Sequence, residues 1–219
     1  STDLNSGIPD FNKELSHKFQ FNDIGSLERI FNEYGDDLAC VIMEPLTVLE
    51  PSDNFLQKVR ELCTINNTLL IFDEVITGFR FAIGGAQELT GVTPDLATFA
   101  KGISNGIPLS AIVGKKEYMF ALEKTFFSFT YGGECLGLAA AEASINKIAS
   151  EDVPSYLNSI GLKLKVGLNE IIAAHGMNDY LECIGYPCRS IVAIDGGSNY
   201  DTLEIKSFIQ QELIRRGIL

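Results

Sequence analysis

The sequence predicts an α/β fold built from parallel strand–helix–strand units, and three observations carry that expectation. Short apolar runs recur over the first half of the chain, at "LACVIMEP", "TLLIFDEV", "LATFA" and "SAIVG". Segments with helical spacing of apolar residues lie between the earlier runs. The runs also stop abruptly, at Pro45, at Asp73-Glu74 and at Lys101-Gly102. Strand, helix, strand at this tempo is the pattern of parallel α/β units.

Each element has its own local cause. Residues 1–19 are polar and broken by Gly and Pro, which predicts a surface connection. In "FNDIGSLERIFNEYGDD", Leu27, Ile30 and Phe31 share one helical face, with Ser26 near the start and Gly35 at the end. "LACVIMEP" is nearly continuous in apolar residues, which predicts a strand covered on both faces. Phe55, Val59 and Leu62 give "NFLQKVRELCTINN" helical spacing, and "TLLIFDEV" follows as a second strand. "GGAQELTG" predicts a Gly-bounded turn or short helix before the strands "LATFA" and "SAIVG". Beyond about Glu142 the character changes. "AAAEASINKIA" and "YLNSIGLKLKVGLNEIIAAHG" predict long helices, "CRSIVAID" a strand and "EIKSFIQQELIRRGIL" a helix. This tail predicts the start of a second, smaller α+β domain, dividing the chain into residues 1–142 and 143–219.

Composition narrows the function classes. Seventeen Lys and Arg against 29 Asp and Glu give a net charge of −12, with no basic cluster to meet a nucleic acid. Five cysteines, none in CxxC spacing, predict free thiols and a reducing, cytoplasmic setting. No apolar stretch is long enough to span a bilayer, so no membrane partner is expected. Two histidines, His17 and His175, stand outside every motif, which argues against a His-rich metal site or a Ser-His triad.

In open α/β sheets, ligands sit at the carboxyl ends of the strands. Asp73 ends one apolar run and Lys101 follows another, 28 residues later. On adjacent strands they would face one crevice. Taken alone, such a pair is more often an ion pair or two solvated loop charges than a functional site.

The surrounding words are more specific. The run "IFDEVITGFR…GVTPDLATFAKGISNGIPLSAIVG", with "GDDLACVIMEP" before it and "FFSFTYGGECLGLAAAEA" after it, resembles class III pyridoxal-phosphate (PLP) dependent aminotransferases. "GGAQELTGVTPDL" resembles the glutamate-1-semialdehyde 2,1-aminomutase-like branch in particular, while "GIPLSAIVG" and "SFTYGGE" are also similar to keto-sugar aminotransferases of polysaccharide biosynthesis. The resemblance implies fold type I of the PLP-dependent transferases (aspartate aminotransferase-like). Residues 1–142 would be the C-terminal half of the large, mixed-sheet PLP-binding domain, and 143–219 part of the small domain. It implies amino-group transfer on a small amino or keto acid, or a semialdehyde.

Residue roles follow from the same resemblance. Lys101 would hold PLP as a Schiff base and later shuttle a proton. Asp73 would keep the pyridine nitrogen protonated. Val75, two residues beyond Asp73 and on the same side of an extended chain, would pack on the ring, a role compatible with being a core valine. Thr130, in "FTYGG", would reach the phosphate of the neighbouring subunit's cofactor, which implies a homodimer with shared active sites; the other reading is a turn threonine. Glu74 is expected to be structural, and Arg80 to hold a carboxylate or pair with a nearby acid. The family's phosphate cup and stacking aromatic ring belong to an earlier segment of its pattern, so this sequence is expected to be one piece of that pattern. A half sheet would expose an apolar edge, so a complementary chain or self-association is expected, with a non-catalytic, self-associating module as the alternative.

Overall fold

The computed structural model describes residues 6–197 and 200–218. The first unit runs α1 (Asp10–Glu14), α2 (Ile24–Tyr34), β1 (Cys40–Met43), α3 (Phe55–Ile65), β2 (Leu69–Asp73), α4 (Gly85–Thr90), β3 (Leu96–Phe99) and β4 (Ala111–Gly114). A short helix, α5 (Lys116–Met119), leads to α6 (Cys135–Ser150) and α7 (Val153–Ala174). Strands β5 (Leu181–Tyr186) and β6 (Arg189–Ile194) and helix α8 (Thr202–Arg215) complete the described chain.

The four-stranded sheet has the order β1-β2-β3-β4. Its first three strands are parallel, and β4 returns antiparallel beside β3. The cause of the reversal lies in the connection. Residues 100–110 hold only a single 3₁₀ turn, Lys101–Ile103, and a parallel strand would require a longer crossover. The sheet is therefore mixed, as fold type I implies.

Chain order and sheet order coincide from β1 to β3, and right-handed crossovers then place their helices on one face. Helices α2 and α3 pack there through Leu27, Phe31, Phe55, Leu56, Val59 and Cys63 against Val41, Met43, Leu70 and Phe72. The opposite face is open: Ile42 of β1 is 59% exposed. The expectation of a strand covered on both faces is thus corrected. β1 alternates between exposed and buried residues because α2 and α3 cover a single side.

Local signals explain the ends of α2. Asp23, not Ser26, caps it: Asp23 Oδ1 accepts from the Ser26 N–H at 3.1 Å, while the Ser26 hydroxyl turns back to the Asp23 carbonyl at 2.7 Å. Gly35 ends it at φ +49°. Within the stretch expected to be surface connection, residues 10–14 form the short helix α1, and residues 1–5 lie outside the described residues.

In the tail, β5 pairs antiparallel with β6, from Leu181–Ile194 to Tyr186–Arg189, leaving Pro187-Cys188 as the tip. Only β6 was expected, since "LECIGY" carries neither alternation nor a continuous apolar run. α7 backs the hairpin: Asn169 accepts from the Cys183 N–H at 2.8 Å, and Lys165 Nζ donates to the Gly185 carbonyl at 2.6 Å. Gly161 lets the tip approach α7, because a Cβ there would overlap the Pro187 carbonyl. The change of character noted near Glu142 falls inside α6.

Candidate active site

Asp73 is the last residue of β2 and stands in register with Thr98 of β3. Phe72 is buried on the helix-covered side, so period-two alternation turns Asp73 to the open face. Two donors converge on one of its oxygens. Asp73 Oδ1 accepts from the Val75 N–H at 3.0 Å and from the Thr98 hydroxyl at 3.3 Å. Oδ2 accepts no hydrogen bond from the described residues. A half-held carboxylate with one free oxygen suits a protonated ring nitrogen.

Val75 does not continue the strand. β2 ends at Asp73, and residues 75–80 form turns, so the extended-chain argument for Val75 fails. It stays beside Asp73 instead through its N–H, and its side chain is half-buried.

Lys101 opens the 3₁₀ turn immediately after β3 and Ala100, with φ +49°. A non-glycine residue in the left-handed region stores backbone strain, which concentrates at functional sites. Its exposed amine makes no hydrogen bond or ion pair with the described residues. The perch is buttressed from the β2 side. A Cβ at Gly102 would lie 3.7 Å from the Gly78 carbonyl and Phe79 Cβ, and the Phe79 and Phe99 rings stand 5.6 Å apart. Gly78 is required by this packing: a Cβ there would fall 2.5 Å from the Phe99 ring. Asp73 and Lys101 therefore emerge at the same end of neighbouring strands. Thr130 lies in an exposed turn within an aromatic segment, and among the described residues no hydrogen bond joins it to that end.

The match to known proteins decides the family: residues 5–184 fit the model of the class-III aminotransferases. The chain belongs to this family. It is 34% identical over 216 residues to glutamate-1-semialdehyde 2,1-aminomutase of Francisella tularensis subsp. tularensis (strain WY96-3418), covering 93% of this chain and 50% of that protein. To the Clostridium acetobutylicum aminomutase it is 40% identical over 179 residues, covering 78% of this chain and 42% of that protein. The chain thus spans about half the length of the curated relatives it matches. Among solved structures, an omega-transaminase from Sphaerobacter thermophilus matches with a TM-score of 0.84 and 26% identity, over 99% of this chain and 53% of that one. The PLP internal aldimine form of Sphingopyxis sp. MTA144 FumI protein shares the fold, with a TM-score of 0.82 at 24% identity over 87% of this chain and 47% of that one.

Within this class-III chain, three residues near the strand ends have a structural explanation. Glu74 is fully buried and caps α4: it accepts from the Thr77 hydroxyl at 2.5 Å and from the Ala86 and Gln87 N–H groups at 2.8 and 3.0 Å. The expected pairing with a nearby carboxylate is not seen: among the described residues Arg80 meets no acid. It donates to the Ile76 carbonyl at 3.0 Å and the Cys188 carbonyl at 3.3 Å, clamping the hairpin tip. Arg189 does the same from the other side. It lies 2.7 Å from Glu44 Oε2 and donates to the Leu46 carbonyl at 2.5 Å. The hairpin is thereby tied to the segments that follow β1 and β2. A cleft of about 360 Å³ between it, α7 and the Arg80 turn is lined by Tyr186, Asn158 and Glu88 but not by Asp73 or Lys101.

Two of these residues escaped sequence reasoning. Thr98 left one signal, a polar residue inside the apolar run "LATFA". Arg189 left none, because its partner is 145 positions away.

Proposed function

We propose that this chain carries the PLP-holding strand ends of an enzyme that moves amino groups on small amino acids, keto acids or semialdehydes. The carrying observation is the pairing of a free amine, Lys101, and a half-satisfied carboxylate, Asp73, at the carboxyl ends of adjacent strands. The named relatives support the reaction class, as aminomutases and transaminases.

PLP, when bound, supplies the electron sink that makes a hydrogen next to an amine removable. The remaining work falls to residues of this chain. Lys101 offers the amine that anchors the cofactor and, once released, a base that would carry a proton between the substrate carbon and the cofactor's C4′. Asp73 Oδ2 would hold the proton on the ring nitrogen, and Val75 would bound one side of the ring. Thr130 would reach the phosphate from a second copy, so the active form is a homodimer. The exposed side chains of Phe126, Phe127, Phe129 and Tyr131 around it support such an interface. A cytoplasmic setting accords with five free cysteines.

The test is direct. PLP is added to the chain, the absorbance of captured cofactor is followed, and the link is reduced with borohydride before peptide mapping. Label is expected on Lys101 and is lost in Lys101→Ala. Label on Lys115 or Lys116 instead would overturn the reading. No capture at saturating PLP would replace it with a self-associating, non-catalytic module.

A further inference from the structure

We propose that Thr98 is a positioning residue for Asp73, its hydroxyl holding one carboxylate oxygen so that the other is presented to the cofactor ring. This rests on the reading of Asp73 as the acid that meets PLP.

A carboxylate at a strand end can swing about two side-chain torsions, and an unheld one would meet the ring in many orientations. Here both donors act on the same oxygen: the Val75 N–H at 3.0 Å and the Thr98 hydroxyl at 3.3 Å, each on Oδ1. Their positions are set independently. The Val75 N–H comes from the turn that follows β2, whereas Thr98 belongs to the neighbouring strand and pairs with Asp73 in register. The backbone beneath the hydroxyl is fixed as well, since the Thr98 carbonyl accepts from the Glu74 N–H at 3.0 Å. Branching at Cβ further restricts the hydroxyl's direction.

Thr98 of β3 also lies three residues before Lys101, which opens the turn that follows that strand. β3 therefore carries the hydroxyl that orients the acid and leads directly into the turn that presents the amine. The strand pair β2–β3 thus sets the acid and the start of the turn that holds the amine.

The experiment compares Thr98→Val, which keeps the branched shape without a donor, with Thr98→Ser, which keeps the donor. Thr98→Val is expected to bind PLP about tenfold more weakly, the scale of one hydrogen bond to a charged group. It should also shift the bound cofactor's absorbance in the direction that Asp73→Asn does. Thr98→Ser should match the parent in both, and thermal midpoints should stay close to the parent in all three. If Asp73→Asn itself binds PLP like the parent, the reading of Asp73 falls. If Asp73→Asn is impaired and Thr98→Val is not, only the role of Thr98 falls. A cofactor-free crystal structure of Thr98→Val gives an independent answer. The Asp73 carboxylate is expected to rotate away from its parental orientation, and an unmoved carboxylate overturns the proposal however PLP behaves.

Discussion

Asp73 and Glu74 are neighbours of like charge whose environments are opposite. Asp73 faces the open side with one oxygen free, whereas Glu74 is buried with three donors closing around it. The separation comes from the strand end: alternation sends successive side chains to opposite faces, and the start of α4 waits on the buried side. Removing the Glu74 carboxylate leaves two amide donors and the Thr77 hydroxyl unsatisfied in the interior. Glu74→Ala is expected to cost about 3 kcal/mol in urea unfolding, the range for losing buried hydrogen bonds to a charged group. Asp73→Ala should cost far less stability, because its side chain faces the crevice. From the letters alone, "DE" after an apolar run says that an acid stands at a strand end. Which acid faces the site is decided by burial, and burial depends on where the helices pack. The same limit hid Thr98, whose partner is defined only by the register between β2 and β3.

At the scale of elements, one carboxylate ties together the ends opposite the candidate site. Asp95, 3% exposed, precedes β3 and accepts from the Leu70 N–H of β2 at 2.8 Å, Arg60 of α3 at 2.7 Å and Lys115, just beyond β4, at 2.6 Å. Burial alone would raise its carboxyl, but the Leu70 amide, Lys115 and Arg60 together hold it below the usual carboxylate range. A group depressed in the folded state stabilises fully above its unfolded pKa, about 3.9, and loses that contribution as pH falls through the folded value. The thermal midpoint of the parent should therefore exceed that of Asp95→Asn by a constant margin from pH 5 to 7. The margin should shrink steadily below about pH 4. An unchanging margin down to pH 2 would show that Asp95 acts through shape rather than charge. The parallel strands and their helices were legible in the sequence because apolar period and terminators are local properties. The antiparallel turn of β4 and the strand β5 were not, since the first depends on the length of a connection and the second on a partner strand and α7. The clamp by Arg80 and Arg189 is likewise a tertiary fact, written in carbonyls that no side-chain pattern records.

At the scale of the molecule, the apolar surfaces left uncovered among the described residues include the open face of the sheet, with Ile42, and the segment around Thr130. In the second, Phe126 is 95% exposed and Tyr131 72% exposed. Contiguous apolar surface of this kind drives association. Burying one such ring contributes about 2 kcal/mol at the usual value per unit area, and a symmetric interface counts each ring twice. The double variant Phe126→Ser, Tyr131→Ser should therefore weaken self-association at least a hundredfold in sedimentation at micromolar concentration. Its thermal midpoint at low concentration should stay near the parent's, because neither ring lies in the core. If Thr130 acts across this interface, PLP capture must rise with protein concentration in the parent and stay flat in the variant. Self-association that survives the double variant would place the contact on another face of the chain, and would separate Thr130 from the cofactor of any second copy.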